Sequence, residues 1–173
     1  MKTISALLLT GFCAIVPAVV YASGGTCGSP SANMQDGSDT GNTCTDSGAA
    51  NQVDAFCTGV QVVSNQPQEI YTVTLAAAGP DRTATQISVS SATSTGTFNP
   101  TLYLYTGTCA NGGGCVQTGT ASSPMDLTGV AAGTYLLAIG GSQLDASAAT
   151  ACGDFNITAN GTLPVKLQSF SVQ

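Results

Sequence analysis

The chain has no histidine and no tryptophan, and only 7% of its residues are charged. Each shortage excludes something. Without histidine, neither a Ser-His-Asp triad nor an imidazole metal site can be built. Without tryptophan, and with aromatics at 6%, the stacking platforms that line most saccharide clefts are scarce. Lys and Arg number three against nine Asp and Glu. No basic cluster exists to neutralise phosphates, so nucleic acid is not a partner. Anionic membrane surfaces are disfavoured for the same reason. Ordinary soluble domains carry about 25% charged residues, so here the polar surface must come from Ser, Thr, Asn and Gln. Such a surface repels its own copies weakly and permits close self-packing.

Long apolar runs are also lacking, except at the start. "MKTISALLLTGFCAIVPAVVYASGG" has Lys2, an apolar run from Ala6 to Val20, and small residues up to Ala22. These are the charged, apolar and small-residue parts of a secretory signal peptide over residues 1–22, with cleavage expected after Ala22. The run contains Pro17 and falls short of the about 18 residues needed to span a bilayer. No later stretch is long enough, so no membrane span is expected.

Loss of residues 1–22 removes Cys13 and leaves Cys27, Cys44, Cys57, Cys109, Cys115 and Cys152. An even count in an exported chain implies disulfides. "CANGGGC" sets Cys109 and Cys115 around three glycines, which let the backbone turn sharply enough to join the sulfurs. A loop this short contributes roughly 2 kcal/mol in the chain-entropy model. For the rest, Cys27 is expected to pair with Cys44, and Cys57 with Cys152. There is no C-x-x-C pair and no histidine, which excludes zinc.

Residues 23–51 are rich in Gly, Ser, Thr, Asn and Asp and read as irregular structure pinned by cysteines. Residues 52–161 read as strands of period two. "EIYTVTLAA" puts Tyr71, Val73 and Leu75 on one face, with Thr72 and Thr74 on the other. "TQISVSS" does the same with Ile87 and Val89. "PTLYLYTG" alternates Leu102 and Leu104 with Tyr103 and Tyr105. "GTYLLAIGG" carries Tyr135, Leu137 and Ile139, and "DFNITANG" carries Phe155 and Ile157. Turn signals separate the runs, and no helical period persists. Eight or nine short strands at regular spacing predict an all-β, jelly-roll-like sandwich stabilised by disulfides.

Within this pattern, "YTVTLAAAGPDRTATQISVSS", "FNPTLYLYTG", "LTGVAAGTYLLAIGG" and "GDFNITANG" follow in an order that resembles the bacterial pre-peptidase C-terminal domain, over about residues 68–161. The matching features are Tyr71 to Leu75, Asn99 to Tyr105, Val130 to Tyr135 and Phe155 to Thr158. The resemblance implies a sandwich appended to secreted enzymes and surface proteins, generally without catalysis of its own.

No enzyme is expected. A cysteine nucleophile would lack its usual base. Glycosidase-like chemistry would need two of Asp36, Asp39, Asp46, Asp54, Glu69, Asp81, Asp126, Asp145 and Asp154 across a cleft. "DGSDTGNTCTDSG" gathers Asp36, Asp39, Asn42 and Asp46, oxygen donors of the kind calcium takes from flexible loops. The other reading is a solvated acidic turn, for which Asp and Asn are ordinary residues. Calcium is thus the single candidate cofactor.

Residues 162–173 form a C-terminal apolar strand with Leu163, Val165, Leu167, Phe170 and Val172. Asn160-Gly161 predicts a hairpin returning from the preceding strand, and Pro164 places the tail at a sheet edge. Three uses are open: closing its own sandwich, filling a groove on another copy by strand addition, or serving as an export tag. The expected protein is a secreted, non-catalytic structural or adhesive module, extracellular or at the cell surface, whose partners include copies of itself. The alternative is an accessory binding module beside a separate secreted hydrolase.

Overall fold

A computed structural model describes residues 25–31, 34, 37–45, 49–50, 56–57, 60–61, 67–91, 98–106, 114–141 and 152–163. Residues 1–24 and the tail beyond Leu163 lie outside the described residues.

The chain is an all-β sandwich. Its strands are β1 (Ser38–Asn42), β2 (Ala49–Ala50), β3 (Phe56–Cys57), β4 (Val60–Gln61), β5 (Pro67–Leu75), β6 (Gln86–Ser91), β7 (Pro100–Thr106), β8 (Cys115–Thr120), β9 (Met125–Asp126), β10 (Gly133–Gly141) and β11 (Asp154–Ala159). One sheet runs β1-β11-β6-β9 and the other β2-β5-β10-β7-β8, while β3 and β4 pair apart. All pairings between these strands are antiparallel.

Period-two alternation builds the core. Tyr71, Val73 and Leu75 of β5, Leu102 and Leu104 of β7, and Tyr135, Leu137 and Ile139 of β10 face one way. Ile87 and Val89 of β6 and Phe155 and Ile157 of β11 face them from the other sheet. Each such side chain contributes about 1.5–3 kcal/mol on full burial. Tyr135 is further fixed by its hydroxyl, which donates to the Ala131 carbonyl at 2.8 Å.

The five-stranded sheet also buries its outer face. Ile70, Tyr103, Tyr105, Leu136 and Ala138 form a second cluster, against which Cys27 and Cys115 pack. Burial on both faces explains why "PTLYLYT" and "GTYLLAIGG" read as near-continuous apolar runs.

The described residues within 23–51 are more regular than their composition suggests. They supply β1, β2 and Met34, which is buried in the main core. Strand β1 (Ser38-Asp39-Thr40-Gly41-Asn42) has no apolar alternation. It exists because β11 offers it a ladder, from Ser38 opposite Thr158 to Asn42 opposite Asp154.

Candidate functional site

The β1–β11 edge holds most of the chemistry singled out in the sequence. Its register carries Cys44 and Cys152 just past the Asn42–Asp154 pair, and the two form a disulfide with Cα atoms 5.1 Å apart. The expected Cys27–Cys44 and Cys57–Cys152 pairings are therefore wrong. Strand pairing across 108 residues, not nearness in sequence, brought the sulfurs together. Cys27 and Cys115 are also disulfide-bonded. Cys109 and the side chain of Cys57 lie outside the described residues.

Of the calcium candidates, Asp36 and Asp46 lie outside the described residues. Asp39 and Asn42 are three positions apart on β1, so the strand directs them to opposite faces. Asp39 stands opposite Ile157 and Asn42 opposite Asp154. Both side chains serve β1 itself. Asp39 Oδ1 accepts the Thr40 N–H at 2.9 Å, and Asn42 Oδ1 accepts the Cys44 N–H at 2.8 Å. Asn42 Nδ2 also donates to Asp154 Oδ1 at 2.6 Å. Thr43 N–H bonds Gly153 O on the β11 side, so by alternation the Thr40 and Cys44 N–H groups point away from β11. Such groups invite another strand, and side-chain oxygens that occupy them blunt the edge.

The remaining described acids are spread over the fold. Glu69, buried on β5, stands opposite Ile139. Arg82 is buried past the other end of β5, where its Nη1 donates to the Val130 carbonyl at 3.1 Å. Asp126 is fully exposed, and its carboxyl is held below the ordinary value by hydrogen bonds from the backbone and side chain of Thr128. Among the described residues, no three His, Cys, Asp or Glu side chains gather as a metal-holding group.

Asn160-Gly161 does not make the expected hairpin. The chain instead continues along the segment before β6. Asn160 N–H donates to the Gln86 carbonyl at 3.1 Å, and Ala84 N–H donates to the Thr162 carbonyl at 3.2 Å. Asn160 Oδ1 accepts the N–H groups of Thr85 and Gln86, both at 2.9 Å. A Cβ at Gly161 would stand 2.7 Å from Thr83 Oγ1 and 2.8 Å from Ala84 N. The glycine thus serves close backbone approach rather than a turn of positive φ. This path delivers Leu163 into the main core at 4% exposure. Val165, Leu167, Phe170 and Val172 lie outside the described residues.

One surface was not singled out in the sequence. The outer face of the four-stranded sheet carries two rows across three strands. Ser38, Thr158 and Ser88 form one, and Thr40, Asn156 and Ser90 the other. All six are exposed or half-buried and uncharged. Their alternation with the core-facing residues was visible, but nothing marked which strands would be neighbours. No family model, curated protein or solved structure matches the chain.

Proposed function

We propose that this chain is a secreted, non-catalytic structural or adhesive β-sandwich of the bacterial cell surface or extracellular material, built as a pre-peptidase C-terminal-like module. The observation that carries the reading is the six-residue hydroxyl and carboxamide face backed by a buried core, with the adjoining β1 edge stapled to β11 by Cys44–Cys152. A face of this kind meets hydrated surfaces through many weak hydrogen bonds. The disulfide fits an oxidising compartment.

Self-assembly through the C-terminal strand belongs to the same reading. Leu163 is seated in its own core, so any donated portion begins after it, with Val165, Leu167, Phe170 and Val172. Negative-stain microscopy of the purified mature protein tests this. Filaments or sheets support the structural reading. Uniform small particles that also fail to adhere to cell-surface material would favour the accessory module beside a hydrolase.

A further inference from the structure

Asn99, Asn156 and Asn160 are the asparagines followed two residues later by Ser or Thr. Asn-x-Ser/Thr, with x other than proline, is the acceptor motif for an N-linked glycan. Pro100 bars Asn99. Asn156 stands in Asp154-Phe155-Asn156-Ile157-Thr158, with an acid two residues ahead of the asparagine. That acid-extended motif is the form bacterial transferases read. Asn160 has Thr158 in the place of the acid.

The fold separates the two remaining candidates in the same direction. Alternation along β11 sets Asp154, Asn156 and Thr158 on the outer face, while Phe155 and Ile157 enter the core. Thr40 and Ser90 flank Asn156 across the sheet, and their short side chains leave room above its carboxamide. Among the described residues, no side-chain hydrogen bond engages that carboxamide. Asn160 is committed instead. Its Oδ1 accepts the Thr85 and Gln86 N–H groups, and its Nδ2 donates to Thr85 Oγ1 at 3.0 Å. The hydroxyl of Thr162, which completes the second motif, lies 2.9 Å from that of Thr83. A sugar on Asn160 Nδ2 would part residues 83–86 from 160–162 and draw Leu163 from the core.

We propose that Asn156 is an N-glycosylation site, which takes an oligosaccharide from a polyisoprenoid pyrophosphate donor during export, and that Asn160 stays bare. Asn156 Nδ2 forms a bond to the anomeric carbon of the first sugar, and the bond from that carbon to the pyrophosphate oxygen breaks. One amide proton ends on the departing lipid pyrophosphate, and nothing is oxidised or reduced. β11 is paired on both sides, by β1 and β6, so transfer precedes closure of the sheet. The glycan is bulky and solubilising, and its hydroxyls extend the chemistry of this face beyond the sheet. The proposal rests on export and not on adhesion, so its failure would leave the adhesive reading intact.

The test is glycopeptide mass mapping of the exported protein recovered from its own organism, with variants produced in the same host. Fragmentation that keeps the glycan attached should place one oligosaccharide on Asn156 and none on Asn160. Asn156→Gln and Thr158→Val should each lose the glycan mass, whereas Thr158→Ser and Asn160→Gln should retain it. Asp154→Asn keeps a side-chain oxygen for Asn42 but removes the acid, and it should lose the glycan as well. The wild-type map needs no variant to fold. An exported chain beginning near Ser23 with Asn156 bare, a glycan on Asn160, or a glycan retained in Thr158→Val or Asp154→Asn would each overturn the proposal. The first of these would leave export itself standing.

Discussion

Replacing both cysteines of the Cys44–Cys152 bridge with serine should destabilise the sandwich more than any single side-chain truncation. The bridge closes a sequence separation of 108 residues. In the chain-entropy model a loop of that length constrains the unfolded chain by about 5 kcal/mol. For a domain of this size each kcal/mol moves the melting temperature by about 2–4 °C, so Cys44→Ser/Cys152→Ser should melt about 10–20 °C lower. The native fold should persist, because the β1–β11 ladder and the Asn42–Asp154 hydrogen bond do not depend on the sulfurs. The assay is urea unfolding of wild type and double variant under non-reducing conditions, with melting followed by circular dichroism. A loss below about 1 kcal/mol would refute the reasoning, because a loop this long cannot close so cheaply in the unfolded chain. A non-reducing peptide map that joined Cys44 to Cys27 would refute the topology itself.

The other predictions concern the β11 extension and the edges. Leu163→Ala should cost about 2–5 kcal/mol in urea unfolding, as expected for a core leucine, whereas a solvated tail would lose nothing measurable. Gly161→Ala should cost about 1–3 kcal/mol by forcing the chain away from Thr83 and Ala84; a neutral effect would show that no close approach exists. Millimolar calcium should leave the melting temperature unchanged, because Asp39 and Asn42 already accept backbone N–H groups of β1; a rise of several degrees that vanishes in Asp39→Ala would contradict this. Asp126 has a lowered carboxyl pKa in the fold, so its contribution is fully present above the ordinary carboxylate value of about 4 and is lost as pH falls through the lowered one. Asp126→Asn should therefore flatten the acid limb of the stability profile below about pH 4 and leave its remaining slope unchanged; an identical acid limb would remove that role.

The inner faces of β5, β6, β7, β10 and β11 were legible because alternation is a local signal. Tyr71, Ile87, Leu104, Leu137 and Ile157 each turned out to face the core as their spacing implies. What was not legible was set by pairing at long range. β1 has no apolar rhythm and is a strand only because β11 lies beside it, and that pairing also chose the partner of Cys44. The Asn160-Gly161 signal misled for a related reason. A turn and a close backbone approach both need glycine, and only the neighbouring 83–86 segment decided between them. Asp39 and Asn42 fit two readings in the sequence because edge capping and metal binding use the same oxygens. The pairing of Gly25 and Ser31 with Ile70 and Thr72 of β5 was hidden because residues 25–31 have little apolar side chain.

The central proposal is export of an oxidised, processed sandwich to the outside of the cell. The direct measurement is a non-reducing peptide map, with N-terminal sequencing, of the protein recovered from the extracellular and surface fractions of its own organism. The expected chain begins at or near Ser23, yields a Cys44–Cys152 linked peptide, and has no alkylatable thiol. A chain that remains in the cytosol, keeps residues 1–22 and has its cysteines free would contradict it.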